Sequence, residues 1–150
     1  MTKQLLMAGQ HDEIFHILHR AEQRAKTLFA EEARGLDLTV RQLVILDVVA
    51  GNAGMMQADI VSLTGIDRST VTELVGRMVK RGLLQRQRNT RDARAYLLHI
   101  TDEGRQRLEA AECASRKAGN RFLDAVPPEQ RESFLKNLES AARADEPVST

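Results

Sequence analysis

Apolar residues recur along the first part of the chain at the three- and four-residue spacing of an amphipathic helix. This spacing predicts a first helix over 12–34, and Gly35 ends it. A second helix is predicted to begin after Thr39, because a threonine followed three residues later by Gln42 is typical of a capping box. Its apolar positions continue to Gly51, where a turn follows.

The next segment has the proportions of a helix-turn-helix motif. A short helix is predicted over 57–64, and Gly65 permits the sharp turn after it. Asp67 is a good N-cap for a further helix over 68–81, which ends at Gly82. The two helices therefore form one compact unit in the middle of the chain.

Two short strands are predicted directly after this unit, over 83–88 and 95–100, and a polar turn joins them into a hairpin. Thr101 then caps a long helix that extends to about residue 124, and Pro128 opens a last helix. The predicted order is α-α-α-α-β-β-α-α. This is a mainly α fold with a minor β component.

The helices at the two ends of the chain carry apolar stripes but have little of their own to pack on. We therefore interpret residues 1–36 and 101–150 as a helical dimerisation region, with a helical bundle inside one chain as the alternative. The stripe residues of the fifth and sixth helices are Leu108, Ala111, Ser115, Ala118 and Phe122, and Phe134, Leu135, Leu138 and Ala142.

The composition excludes several classes of protein. The 150 residues suffice for one domain, and no apolar run approaches the roughly 18 residues that a membrane span needs. The amino-terminal stretch becomes polar too early for a signal peptide, and the single cysteine, Cys113, excludes an internal disulfide framework. We therefore expect a cytoplasmic protein with no membrane association.

Positive charge is concentrated in the middle of the chain. Residues 67–100 contain eight Lys/Arg and three Asp/Glu, a net charge of +5, whereas the segments before and after them each carry −2. Such an asymmetry indicates a polyanionic partner, although a solvated basic face is the alternative if charge is taken alone.

The helix over 68–81 has one apolar face and one polar face. The apolar face carries Val71, Leu74, Val75 and Met78 and is predicted to point to the core. The opposite face combines hydroxyls, a carboxylate and cations, and such a helix can lie in the major groove of double-stranded DNA. Its predicted DNA-contacting residues are Arg68, Ser69, Thr70, Thr72, Glu73, Arg77 and Lys80.

The hairpin after this helix forms a wing with arginines at its tip. Arg86 and Arg88 on the first strand are predicted to contact phosphates, and Arg91 and Arg94 lie in the turn. An A·T-rich minor groove favours an inserted arginine, and we interpret Asp92 as holding the guanidinium of Arg94 by a bidentate ion pair. Residues 37–100 therefore read as a winged helix-turn-helix DNA-binding lobe.

The sequence of residues 57–104 resembles the MarR family of bacterial winged helix-turn-helix regulators. The matching elements are the helix pattern STVTELVGRMVKRGLL, the D-x-R formed by Asp92 and Arg94, and the L-x-I-T-x-x-G of 98–104. The flanking helices agree with the family in number and order.

The resemblance implies an obligate homodimer that binds a pseudo-palindromic operator. It also implies a repressor that a small effector releases, commonly an aromatic or phenolic carboxylic acid or a related thioester. Such effectors usually lie between the dimerisation helices and the DNA-binding lobe. A regulator without a small-molecule pocket is the alternative.

Polar residues of the first helix are candidates for effector binding. His16, His19, Arg20 and Arg24 lie near one another, and a histidine or arginine there fits the family's way of binding a carboxylate. His11 belongs to the same cluster. The first interpretation of these side chains is a polar surface or a dimer interface, and effector binding is the alternative. Zinc binding by these histidines is a weaker alternative because no cysteine or firm carboxylate completes a ligand set, and we predict no metal site.

Cys113 raises the alternative of a redox-responsive member. It lies among alanines and no cationic group directly flanks it, although Arg116 and Lys117 are about one turn away, so we interpret it as a small interface residue. The sequence contains no phosphate-binding loop, dinucleotide fingerprint or nucleophile motif. We therefore predict a protein that is not an enzyme and has no cofactor.

Overall fold

The computed structural model describes the backbone of residues 10–143 and the side chains of residues 13–143. The side chain of His11 and residues 144–150 lie outside this part. The predicted order of six helices and two strands is confirmed. The elements are α1 (Gln10–Glu32), α2 (Val40–Gly51), α3 (Gln57–Thr64), α4 (Arg68–Lys80), β1 (Leu84–Arg88), β2 (Tyr96–Ile100), α5 (Asp102–Leu123) and α6 (Arg131–Ala142).

Local signals in the sequence set most of these boundaries. Thr39 and Gln42 form the predicted capping box: the backbone N–H of Gln42 donates to Thr39 Oγ1 and that of Thr39 donates to Gln42 Oε1. Gly65 has a φ of 68°, the left-handed conformation that a glycine adopts without strain. Pro128 begins a short 3₁₀ helix (Pro128–Gln130) instead of α6, which starts at Arg131.

The core of the winged lobe forms where α4 packs on the elements before it. Val71, Val75 and Met78 are fully buried, as predicted, whereas Leu74 is only half-buried. Leu74 lies at the side of α4 that borders an open cavity, so its side chain is not completely covered. On α2, Ile45, Leu46 and Val49 are buried and face this core.

The small residues of α5 are covered by the same chain. This helix packs against α1 and α2, and Ala111 and Ala118 are almost inaccessible in the single chain. These alanines and Leu108 are therefore covered within the chain, and the part of α5 in a dimerisation region stays a prediction. Small side chains let two helix backbones approach closely, and here the approaching backbone belongs to the chain itself.

The wing is anchored to the lobe at its base. β1 and β2 pair antiparallel, with Leu84 opposite Ile100 at the base and Arg88 opposite Tyr96 near the tip. The backbone N–H of Leu98 donates to the carbonyl oxygen of Met55 at 2.7 Å, and Met55 is buried. No helix of the described residues is long and apolar enough to cross a membrane.

The first turn of α5 closes onto the turn that joins α4 to β1. Thr101 Oγ1 donates to the carbonyl oxygen of Gly82 at 2.5 Å and accepts from the backbone N–H of Gly104. The backbone N–H of Thr101 donates to the carbonyl oxygen of Leu83. A Cβ built on Gly104 would overlap that Leu83 oxygen and would lie 2.8 Å from Ile100 Cγ1. Only glycine fits this contact.

We expect Gly104→Ala to destabilise the protein by about 3 kcal/mol or more, because the added methyl group meets backbone that cannot move aside easily. Chemical unfolding followed by circular dichroism measures this effect. Gly76→Ala is the matched control, since a Cβ at this helical glycine meets nothing within 4 Å. The control should raise the free energy of unfolding by about 0.5–1 kcal/mol. Equal behaviour of the two variants would contradict the close approach.

Candidate nucleic-acid interface

The exposed face of α4 begins with a hydrogen-bonded cap. Asp67 accepts from the hydroxyls of Ser69 and Thr70 at 2.7 Å each and from the backbone N–H of Thr70 at 2.9 Å. These donors, the Ser69 hydroxyl foremost, hold the pKa of Asp67 well below its usual range. The cap fixes the first turn of the helix. It also fixes the rotamers of two hydroxyls that are predicted to meet DNA.

The next predicted DNA-contacting hydroxyl, Thr72, is held from two sides. Thr72 Oγ1 donates to the carbonyl oxygen of Arg68 at 2.9 Å and accepts from Gln57 Nε2 at 3.2 Å. Gln57 is the first residue of α3. Its hydrogen bond to Thr72 was not among the contacts predicted from the sequence. The position of this glutamine at the start of α3, the first helix of the helix-turn-helix, could have indicated a contact with α4.

The charged residues of α4 fall into two kinds. Glu73 and Arg77 form an ion pair at 2.5 Å, one helical turn apart, with both side chains more than half exposed. Arg68 and Lys80 have no carboxylate within 4 Å among the described residues. The helix therefore presents two free cations and one neutralised pair to solvent.

The tip of the wing is folded by side-chain to backbone hydrogen bonds. Asp92 Oδ1 accepts from the backbone N–H of Arg94 at 3.0 Å, and Asn89 Oδ1 accepts from that of Arg91. The predicted bidentate pair between Asp92 and the Arg94 guanidinium is not formed in the described structure. A carboxylate two residues before its partner reaches the backbone N–H more easily than the far end of the side chain, which gives a compact Asx-turn.

All four predicted wing arginines are exposed, and none has a carboxylate partner within the described chain. Arg86 and Arg88 point from the strand, and Arg91 and Arg94 lie in the turn, so the cations occupy one short hairpin. Their mutual repulsion is not relieved inside the chain, and an external polyanion would relieve it.

Beside α4 lies an open cavity of about 520 Å³. It is bounded by the second half of α1, the start of α2 and one side of α4, and this volume is typical of small-molecule sites. Its lining combines apolar side chains with three cations and one carboxylate. The lining residues are Lys26, Phe29, Ala30, Leu38, Thr39, Val40, Arg41, Thr70, Glu73, Leu74 and Arg77.

The residues predicted to bind an effector do not line this cavity. His16, His19, Arg20 and Arg24 are exposed on α1, nearer its amino-terminal end. Their role stays a prediction, and the cavity instead brings together cations that the sequence analysis did not connect. Among the described residues, no cluster of His, Cys, Asp and Glu is suited to a metal ion, and Cys113 is exposed.

Two arginines hold the loop between α1 and α2. Arg81 donates to the carbonyl oxygen of Asp37 at 2.8 Å and pairs with its carboxylate at 3.1 Å, and Arg107 donates to the carbonyl oxygen of Leu36. Asp37 has a φ of 51°, a left-handed backbone conformation that residues other than glycine seldom adopt. The contacts from Arg81, which follows α4, hold Asp37 in this conformation. No local pattern in the sequence indicates the role of these two arginines, because their partners lie more than forty residues away.

The fold and this exposed face define a winged helix-turn-helix regulator, and comparison with known proteins gives the family. A model of the MarR family matches residues 36–95. The chain belongs to the MarR family of transcriptional regulators. This assignment confirms the resemblance stated above, and it confirms that the chain is a transcriptional regulator and not an enzyme.

Individual relatives agree with the family model. The HTH-type transcriptional repressor NicR of Pseudomonas putida is 25% identical and covers 90% of this chain and 85% of its own length. A probable transcriptional regulator from Pseudomonas aeruginosa is 30% identical, with a TM-score of 0.81 and coverage of 89% and 99%. Bordetella bronchiseptica BpsR, whose DNA binding is regulated by 6-hydroxynicotinic acid, is 25% identical, with a TM-score of 0.80 and coverage of 87% and 98%.

We expect Asp67→Ala to lower the melting temperature by roughly 2–4 °C at neutral pH, because the first turn of α4 loses its cap. The lowered pKa gives the sign of the pH dependence. The contribution of Asp67 is fully present above its ordinary pKa of 3.8 and is lost as the pH falls below that value. The difference between wild type and variant should therefore shrink under acid conditions, as thermal melts at several pH values would show. Asp67→Asn keeps an acceptor and should retain most of the cap at every pH.

Proposed function

We propose that this chain acts as a homodimeric repressor that binds a pseudo-palindromic operator and is released by an aromatic carboxylic acid. The observation that carries the DNA-binding part is the set of exposed, unpaired cations on one hairpin beside the polar face of α4. Such an arrangement attracts a polyanion, and the attraction weakens as the salt concentration rises.

In this proposal α4 lies in the major groove. Thr72 and Glu73 face base edges, and Arg68, Arg77 and Lys80 contact phosphates or guanine. The hydroxyls of the first turn are already oriented by Asp67 and lose little further conformational entropy on binding. Glu73 must exchange its ion pair with Arg77 for a contact to DNA if it reads a base.

The wing contributes the minor-groove contact. Arg94 follows the Asx-turn that Asp92 forms, so its backbone is fixed while its guanidinium stays free. A free guanidinium on a fixed backbone suits insertion into a narrow A·T-rich groove, where the negative potential is strongest. Arg86, Arg88 and Arg91 then serve the flanking phosphates.

Operator binding is tested by fluorescence anisotropy on the intergenic DNA beside the gene, over a series of salt concentrations. We expect saturable binding with a steep negative slope of log K against log salt, and Arg94→Ala should lose roughly 1–3 kcal/mol of operator binding. Lys117→Ala removes an exposed cation of α5 and is the control that should bind normally. Affinity no better than for random duplex, or full affinity in Arg94→Ala, would contradict this model.

The homodimer is supported by apolar surface at both ends of the chain. Isolated soluble chains seldom leave such patches uncovered, and Phe15 is 72% exposed. We propose that these faces of α1 and α6 pair with a second copy, so that residues 1–36 and 101–150 form the dimerisation region and 37–100 the DNA-binding lobe. The exposed large apolar residues on the two helices are Ile14, Phe15, Ile17, Leu18, Leu135 and Leu138.

Leu135→Glu should dissociate the dimer, because it would place a carboxylate in an apolar interface without a partner. Sedimentation velocity measures the change, and weaker operator binding should accompany it, since one half-site contributes less than two. Ser133→Glu adds the same charge at a polar exposed position of α6 and should leave the dimer intact. A wild-type chain that sediments as a monomer would exclude the proposal.

The cavity beside α4 supports release by a small acid. Its cations suit a carboxylate and its apolar lining suits a ring. The regulation of BpsR by 6-hydroxynicotinic acid, an aromatic carboxylic acid, favours the same class of effector here. The α1 residues predicted to bind an effector do not line this cavity. In a dimer they would contribute only if the partner's α1 approached the cavity; these residues are His16, His19, Arg20 and Arg24.

A further inference from the structure

We propose that an aromatic carboxylate in the cavity beside α4 competes with Glu73 for Arg77, and that this exchange lowers the affinity of α4 for DNA. The inference rests on the proposed function, because it requires both operator binding and an effector of that class. It adds the residues that connect the two and a local mechanism of release.

The cavity and the predicted DNA-contacting face share residues. Thr70, Glu73 and Arg77 line the cavity and are also among the residues predicted to meet the major groove. Leu74, the half-buried residue between them, closes the inner side. The outer edge of the cavity is therefore the edge of the DNA-contacting face itself.

The charges of the lining favour an anion. Lys26, Arg41 and Arg77 carry positive charge, and Glu73 is the one carboxylate among the lining residues, which leaves a net charge of +2. Lys26 is paired with Glu22 at 2.6 Å, and this lysine lowers the pKa of Glu22. Arg41 has no carboxylate within 4 Å in the described chain. The cavity thus contains one free cation and two cations whose pairs a stronger anion can replace.

The rest of the lining fits an occupant with a flat apolar body. Phe29, Leu38 and Leu74 supply apolar contacts, and Thr39 is the N-cap residue of α2. An aromatic ring against these side chains places its carboxylate among the cations at the edge of the cavity. The ring supplies the apolar contact area, and the carboxylate supplies the competition with Glu73.

The pair between Glu73 and Arg77 is weak enough to be exchanged. Both side chains are largely exposed, and exposed ion pairs one helical turn apart contribute little to stability. When Arg77 turns to a ligand carboxylate, α4 loses a cation for DNA, and the bound acid places a further negative charge beside the same face. Both changes oppose binding of a polyanion, and no movement of the helix is required.

Calorimetric titration of the full chain tests the competition. The probes are 6-hydroxynicotinic acid and 4-hydroxybenzoic acid, and their primary amides serve as matched neutral compounds. We expect the acids to bind and the amides to bind far more weakly. Glu73→Gln should bind the acids about two- to fivefold more tightly, since a competitor of modest strength is removed. Unchanged affinity in Glu73→Gln would overturn the proposal.

The double variant Glu73→Gln/Arg77→Gln separates competition from a general effect of charge. If the carboxylate and the ligand compete for Arg77, the gain from Glu73→Gln must disappear once Arg77 is absent. A gain that persists without Arg77 would show a through-space effect and would overturn the exchange. Thermal melts of all variants establish that each is folded.

Operator binding with and without the acid gives the second measurement. Arg77→Gln should weaken operator binding and lose most of the fold-change that the acid causes. Lys80→Gln removes a cation of the same helix that does not line the cavity, so it should weaken operator binding but keep the full fold-change. An equal response to the acid in wild type and Arg77→Gln overturns this inference and leaves the proposed function intact. Failure of every acid to bind overturns the effector class and this inference together.

Discussion

The first turn of α5 lies directly against the turn that follows α4, and hydrogen bonds to backbone carbonyl oxygens join the two. Thr101 bonds to the carbonyl oxygens of Gly82 and Leu83, and Gly104 lets the Leu83 oxygen approach the α5 backbone. α4 ends at this point, the wing begins and ends there, and α5 leaves from it toward α1. The relative position of the two predicted DNA-contacting elements is thus set by backbone groups, which are more rigid than side chains.

Local chemistry made the fold predictable from the sequence, whereas contacts between distant segments did not follow from it. The capping box at Thr39 and the cap at Asp67 each join residues that are three positions apart, so both patterns can be recognised in the amino-acid sequence. The contact of Arg81 with Asp37 spans 44 residues and follows no local pattern. The α5 alanines show the same limit, because a stripe of small residues reveals a helix contact but not whether the other helix belongs to the same chain.

The sequence predicts which residues lie on the exposed face of the site, but not which hydrogen bonds their side chains make. Ser69, Thr72 and Arg77 lie on the exposed face of α4, as the helical periodicity of the sequence predicts. Which hydrogen bonds those side chains make depends on rotamers and on neighbours in other elements, as Gln57 illustrates for Thr72. The Asp92 carboxylate illustrates the same point on the wing, because two nearby donors were available and the closer backbone N–H was used.

The two groups of cations differ in a way that bears on regulation. The wing arginines have no carboxylate partner among residues 13–143, so in our proposal only salt changes their attraction for DNA. Arg77 has a partner on its own helix and a cavity beside it, so its availability depends on what occupies that cavity. A ligand shifts an equilibrium only by the difference between its affinities for the two states. If an effector needs Arg77, as we propose, its affinity for the two states differs, because DNA binding and effector binding would then use the same guanidinium.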